Sequence, residues 1–466
     1  MKTRSFLLVT LFAAALAAQP VDRTKPPQSP PIPSYKLPPT YESTLPNGMA
    51  VQLVEDARFP LVTIRLSFQA GSKFDPPDTP GLASAVASLL GEGTKTRTAR
   101  QISEEIDGMG GSLSVSAGSD AMTFSGNILA ENLPQLLALA ADIARNANFP
   151  DHEVELYKQN RLQSLMQQRS QPSFLASQKF SEIVYGASPY AHIAPTEASI
   201  QKFDNARLTA FRDAYLLPNN ATLILIGKVP ARAEAVKMIT AEFGSWEKKA
   251  LPPAPKMDLP APKHQIVLVD RPGSVQADIR VGRLAPVRTS AEFFPLSVGS
   301  TALGGGTSSR MFKDIREKEG FAYDAHTEYN TQRDAASFVA VTQVRNEVIE
   351  PAVKAVLEEL ERMASEPVTA KELTDNKNYL SGLYLLRLET QDGVANQLSN
   401  MKALGLPKDY LDMYTQHVRS VEPDQIEAVA KKYVAPGESA VVVVGDASKI
   451  GDALKKLGDV TVVKAQ

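Results

Sequence analysis

LGGGTSSR (Leu303–Arg310) follows an apolar, helix-forming run and leads into MFKDIREKEGFAY (Met311–Tyr323). The same cadence occurs earlier, where LGEGTKTR (Leu90–Arg97) also follows an apolar helical stretch. Two more pairs agree with it. Pro134 and Pro351 each open an amphipathic helix after a strand, and YLLP (Tyr215–Pro218) before LILIG (Leu223–Gly227) is matched by YVAP (Tyr433–Pro436) before VVVVG (Val441–Gly445). The three offsets are 213, 217 and 218 residues, and self-similarity at a near-constant offset is the signature of a duplicated structural unit. The chain therefore reads as two copies of one α+β unit, each of about 200 residues.

Within the first copy, Asn47-Gly48 supplies a turn before a strand at Met49–Leu53, and Leu61–Phe68 is a second apolar strand. Leu82, Val86 and Leu89 at helical spacing predict a helix from Pro80, stopped by Gly91 and Gly93. A second helix is expected over Ala99–Met109. Ser112–Ala117 and Met122–Leu129 alternate around Gly118-Ser119 as a hairpin. A third helix opens at Pro134, another runs from Asp151 to about Gln168, and Thr222–Gly227 closes the unit as a strand.

LPPAPKMDLPAP (Leu251–Pro262) is too proline-rich to coil or pair and reads as a stiff linker. The expected organisation is a leader over 19–40, a first domain over 41–250, a linker over 251–263 and a second domain over 264–466. Residues 1–18 read as a secretory signal: Lys2 and Arg4, an apolar run Phe6–Leu16, and Ala15-Leu16-Ala17 as the cleavage site. That run is too short to span a bilayer. With no cysteine in the chain, neither disulfides nor an N-terminal lipid anchor is available, and the expectation is a bacterial periplasmic or secreted protein. A formal net charge of -2 and the lack of long Lys/Arg runs argue against nucleic acid as a partner.

The duplicated unit, its opening Asn-Gly turn and the LGxGTxxR cadence resemble the pitrilysin or insulinase family of zinc peptidases, in its processing-peptidase branch. The resemblance covers nearly all of residues 41–460. It implies two α/β sandwich halves, each an antiparallel-rich sheet packed with helices, closing like a clamshell around a peptide. It also implies an inverted zinc motif, His-x-x-Glu-His, on the helix before the first LxxGT. Two imidazoles one helical turn apart would hold the metal, the glutamate between them would activate water, and a distant carboxylate would complete the shell.

At these positions the sequence carries Ser84, Ala87 and Ser88, and the third ligand position falls at about Ser164. Hydroxyls and a methyl group do not replace imidazole and carboxylate as zinc donors. The five histidines, His152, His192, His264, His326 and His417, have no ligand spacing, so no metal is expected in this chain and no residue of it is expected to be catalytic alone. The second half keeps what the resemblance implies there: Arg316 and Tyr323, in REKEGFAY, match the arginine and tyrosine turned toward substrate. A guanidinium and a phenol can both donate to a carbonyl oxygen as it gains charge.

Each motif also has a bland reading. Arg316 follows Phe312 by one helical turn and its stem can simply cover apolar surface, while Tyr323 fits an alternating strand. Gly304–Thr307 lacks the Lys-Ser/Thr ending of a phosphate loop and reads as a tight turn. Gly110–Ser114 matches either a peptide-accepting edge strand or an ordinary hairpin. Glu104-Glu105, Glu358-Glu359 and His152 with Glu153 and Glu155 read as solvated surface.

The resulting expectation is a non-catalytic, substrate-binding subunit that pairs with a homologous, zinc-bearing chain and offers Arg316 and Tyr323 to a peptide. The rival is a peptide-binding or scaffold protein of the same fold with no peptidase role.

Overall fold

A computed structural model describes Pro33 and residues 35–465; the expected signal and most of the leader lie outside the described residues. Two six-stranded sheets organise the chain. The first contains β1 (Thr40–Thr44), β2 (Ala50–Glu55), β3 (Leu61–Phe68), β4 (Ser112–Ala117), β5 (Met122–Leu129) and β6 (Ala221–Gly227), in the order β1-β2-β6-β3-β5-β4. The second contains β7 (Gln265–Asp270), β8 (Gln276–Ala285), β9 (Ala322–Thr331), β10 (Ala336–Arg345), β11 (Ala440–Gly445) and β12 (Val460–Lys464), in the order β12-β7-β11-β8-β10-β9.

Five of the six positions repeat. β6 and β11 each run parallel to the strand that opens their unit and antiparallel to the next one. The sixth strand breaks the repeat: β1 precedes its unit and pairs antiparallel, whereas β12 follows its unit and pairs parallel. β1 lies where the proline-rich leader was expected to end, and its sequence TYEST has too little apolar content to announce a strand.

Strand chemistry follows burial. β11, AVVVVG, is buried along its whole length, as a β-branched run flanked on both sides requires. One face of each sheet packs on its own unit's helices. In the first unit Leu136, Leu137, Ala140 and Ile143 of the helix Leu133–Asn146 are buried, matching the expected periodicity. In the second, the helix Ile349–Ser365 buries Val353, Val356, Leu360 and Met363. Glu359 is buried there too, contrary to the solvated reading. It sits beside Arg362, Nη1 to Oε1 2.5 Å, and burial pushes its carboxyl up to about 7.

The other face of each sheet is covered by a helix from the opposite unit. Helix Pro172–Tyr185 lays Leu175, Ala176, Phe180 and Val184 on Val269, Val339, Val442 and Val444. Helix Gln391–Leu404 lays Val394, Ala395 and Leu398 on Val54, Ile224 and Ile226. This exchange buries both inner faces and joins the units through apolar contact. Leader residues Tyr35 and Leu37 pack against the second of these clusters. Residues 251–264 carry no regular structure.

Candidate functional site

Between the units lies a cavity of 380 Å³, walled by Asp75, Ser84 and Arg161 of the first unit and by Arg280, Glu328 and Asn330 of the second. Ser84 stands on the helix Leu82–Leu89, whose first turn is held by Asp75: Gly81 N donates to Oδ2 and Ala83 N to Oδ1, both at 2.7 Å. Burial pushes the Asp75 carboxyl up to about 7, against the backbone amides that hold it down.

The remaining positions of the expected metal motif are plainly placed. Ser88 Oγ donates to the Ser84 carbonyl at 2.9 Å, a bond within the helix, and Ala87 is buried. Ser164 is exposed and lies off the cavity wall; on the same helix, Asp151–Arg169, it is Arg161 that lines the cavity with Ser84. Arg161, one helical turn before Ser164, brings a guanidinium to this wall. Two hydroxyls, a methyl and a cation are the wrong donor set for zinc. Among the described residues no group of three or more His, Cys, Asp or Glu is placed to hold a metal ion.

Arg316 and Tyr323 are brought together. Residues Phe312–Lys318 wind more widely than an α-helix, and Glu319 N donates to Asp314 O at 3.0 Å, five residues back. Such π-turns are rare and recur at functional sites. Behind it, Gly304 ends the helix Phe293–Gly304 against β9, where a Cβ would stand 2.4 Å from Thr327 N, so only glycine lets the helix approach. Arg310 then anchors the turn, donating from Nε to Glu372 at 2.8 Å. Its counterpart Arg97 donates to Glu105 at 2.9 Å and Asp142 at 2.7 Å, so this arginine is structural in both units.

From this frame the Arg316 guanidinium lies over two rings, 4.5 Å from the Phe312 centroid and 4.9 Å from that of Tyr323. Tyr323 is 85% exposed. It lines a second cavity, of 570 Å³, that shares Arg280 and Glu328 with the first. The two cavities thus adjoin at these residues, one reaching Ser84 of the first unit and the other Tyr323 of the second.

The shared wall is strongly charged. His326 Nδ1 lies 2.7 Å from Asp324 Oδ2, and its Nε2 is 3.6 Å from Glu328. The Glu328 contact raises His326 above the ordinary histidine value, and His326 in turn holds Glu328 down to about 2. Asp278 is buried and pushed up to about 6. Sequence reasoning missed Arg280 and Glu328. Their signal was charge inside strands, Asp278 and Arg280 in β8 and Glu328 in β9.

The guanidinium of Arg316 and the hydroxyl of Tyr323 are hydrogen-bond donors that can serve a carbonyl oxygen. The fold and this site define a clamshell of the peptidase M16 type, and comparison with known proteins agrees. A family model described as insulinase (peptidase family M16) matches residues 50–193, and one described as peptidase M16 inactive domain matches residues 202–380. The chain belongs to the M16, pitrilysin-like family.

It is similar to an uncharacterized zinc protease of Rickettsia bellii, 28% identical over 76% of this chain and 91% of that protein. It is also similar to the uncharacterized zinc protease YmxG of Bacillus subtilis, 23% identical over 84% and 94%. Among solved structures, a peptidase M16 inactive domain from Pseudomonas fluorescens superposes with a TM-score of 0.81 at 25% identity, covering 87% of this chain and 98% of that one. A protease from Helicobacter pylori shares the fold, with a TM-score of 0.80 at 20% identity, covering 88% and 100%.

Proposed function

We propose that this chain is the substrate-binding, non-catalytic subunit of a two-chain zinc peptidase, with residues 41–250 and 264–466 as its two domains. The observation that carries the reading is a contrast between the two units. Arg316 and Tyr323 are stacked and presented, while Ser84, Ala87 and Ser88 supply no metal donor. In this reading a homologous partner holds the zinc, which supplies the hydrolytic chemistry, and this chain binds and orients the peptide.

The Tyr323 hydroxyl and the Arg316 guanidinium donate to the carbonyl oxygen as it becomes an oxyanion. Stacking limits the rotamers of the guanidinium, so less conformational freedom is lost on binding. Export through the segment 1–18 would place the pair in the periplasm or outside the cell.

The test is to assay the purified chain on unstructured peptides, alone and mixed with a zinc-motif homologue from the same organism. Cleavage only in the mixture supports the proposal. A chain that forms no complex, yet still binds peptide, supports the scaffold alternative instead.

A further inference from the structure

The duplication supplies an internal control for Arg280. Arg65 of β3 and Arg280 of β8 are equivalent: Arg65 pairs across to Ile224 of β6, and Arg280 to Val442 of β11. Each is 7% exposed or less, and each faces the helix that crosses from the other unit. Leu175 and Ala176 of one crossing helix correspond to Val394 and Ala395 of the other, an offset of 219 residues. The same offset places Ser173 opposite Asp392 and Ser177 opposite Asn396.

The two arginines are treated differently. Arg65 is satisfied within the chain: Nη2 donates to Asp392, Nε to Asn396 Oδ1 at 3.0 Å, and Nη1 to the Ile64 carbonyl at 2.9 Å. Arg280 donates one hydrogen bond, from Nη2 to the Ser173 carbonyl at 3.4 Å, and its buried Nε has no hydrogen-bond partner. Glu328 is 3.8 Å from Nη1 and is engaged by Asn330 at 3.1 Å. Asp278 Oδ1 stands 3.4 Å from Nε without the alignment of a hydrogen bond. A buried guanidinium left short of acceptors is costly unless something else supplies them.

The helix termini repeat the contrast. Gln391–Leu404 is capped by Thr390, which accepts from Gly393 N at 3.0 Å, and carries Asp392 in its first turn. Pro172–Tyr185 has no side-chain cap and no first-turn acid. The hydroxyl cap and the first-turn acid present in one unit are thus missing from the other, where Asp278 and Glu328 of the arginine's own sheet stand near it without a hydrogen bond. Where they are missing, Ser173, Ser177 and Arg280 line the two cavities.

We propose that Arg280, together with the N-terminus of helix Pro172–Tyr185, is a binding site for a carboxylate of the bound peptide. The peptide's carboxylate takes the place that Asp392 fills in the other unit. It comes from the chain terminus or from an acidic side chain; both present the same planar pair of oxygens to a guanidinium. The site rests on the peptide-binding reading above and makes Arg280 a specificity residue for acidic or C-terminal segments.

The test uses the full mature chain and three probes: acetyl-trialanine with a free C-terminus, its C-terminal amide, and acetyl-Ala-Glu-Ala-amide. Titration calorimetry should show at least one carboxylate probe binding about tenfold or more tighter than the neutral amide. The better of the two carboxylate probes identifies the source. Arg280→Gln should erase the preference. Ser173→Asp, which copies Asp392, should erase it as well while raising the thermal midpoint, separating loss of the site from loss of the fold.

Equal binding of all three probes, or a preference that survives both substitutions, overturns the carboxylate site and leaves peptide binding standing. No binding by any probe overturns both.

Discussion

The Arg316 guanidinium carbon lies 4.9 Å from the centroid of the Tyr323 ring and 4.5 Å from that of Phe312. The two residues form one unit, and substitutions in it should not behave additively. In a mixture with a zinc-motif homologue, Tyr323→Phe should lower kcat/KM about 10²- to 10³-fold if its hydroxyl meets the oxyanion, and Arg316→Ala comparably. Because Tyr323 is exposed, Tyr323→Phe should leave stability within about 0.5 kcal/mol in urea unfolding. An unchanged kcat/KM in both variants would reduce the pair to surface structure.

A second ion network closes the units on each other. Lys73 Nζ lies 3.0 Å from Asp120 and 2.9 Å from Asp334 of the β9–β10 turn, and Tyr190 OH donates to Asp120 at 2.6 Å. Lys73 and Asp120 are buried, so Lys73→Met removes a cation and leaves carboxylates uncompensated. A loss of about 3 kcal/mol is expected, read as a lower urea midpoint at unchanged slope. Replacing Lys73 and Asp120 together by Met and Asn should cost less than Lys73→Met alone.

Much of this architecture was legible in the chain, because its signals are local. β3, β4 and β5 occupy the residues that alternation and turn chemistry predict, and Gly48 adopts φ +89, as an Asn-Gly turn requires. What escaped depends on distant partners. Helices Pro172–Tyr185 and Gln391–Leu404 cover the opposite unit's sheet, and nothing in their sequences says which sheet. The wide turn at Phe312–Lys318 has the composition of an ordinary helix. Glu359 looked solvated beside Glu358 because adjacent helical residues face different directions, and one of the pair faces inward. At the site, motif resemblance pointed to Arg316 and Tyr323, which the structure brings together, and to Ser164, whose neighbour one helical turn earlier, Arg161, lines the cavity.

His326 gives a pH-dependent readout of the charged wall. Its raised pKa means that folding favours the protonated ring, so its contribution to stability is fully present below the unfolded value near 6.5. That contribution is lost as pH rises through the folded value. Proton NMR of the ring should show a midpoint above 6.5, and Glu328→Gln should lower it because the Glu328 contact is the leading cause. A midpoint that ignores Glu328→Gln would mean that the ring and the carboxylate do not face each other in solution.

The degenerate metal positions can be tested by rebuilding them. Ser84→His with Ser88→His places two imidazoles at i and i+4 on the helix Leu82–Leu89, and two ligands alone should bind zinc weakly. A third donor should matter only where it faces them. Arg161 lines the cavity with Ser84 whereas Ser164 is exposed, so adding Arg161→Glu should tighten zinc binding about tenfold or more. Adding Ser164→Glu should change it little. Competition with a chromogenic chelator reads both, and cobalt substitution reports four-coordinate geometry through its visible spectrum. If Ser164→Glu proved the better third ligand, the helix Asp151–Arg169 would present a different face to Ser84 than the structure shows.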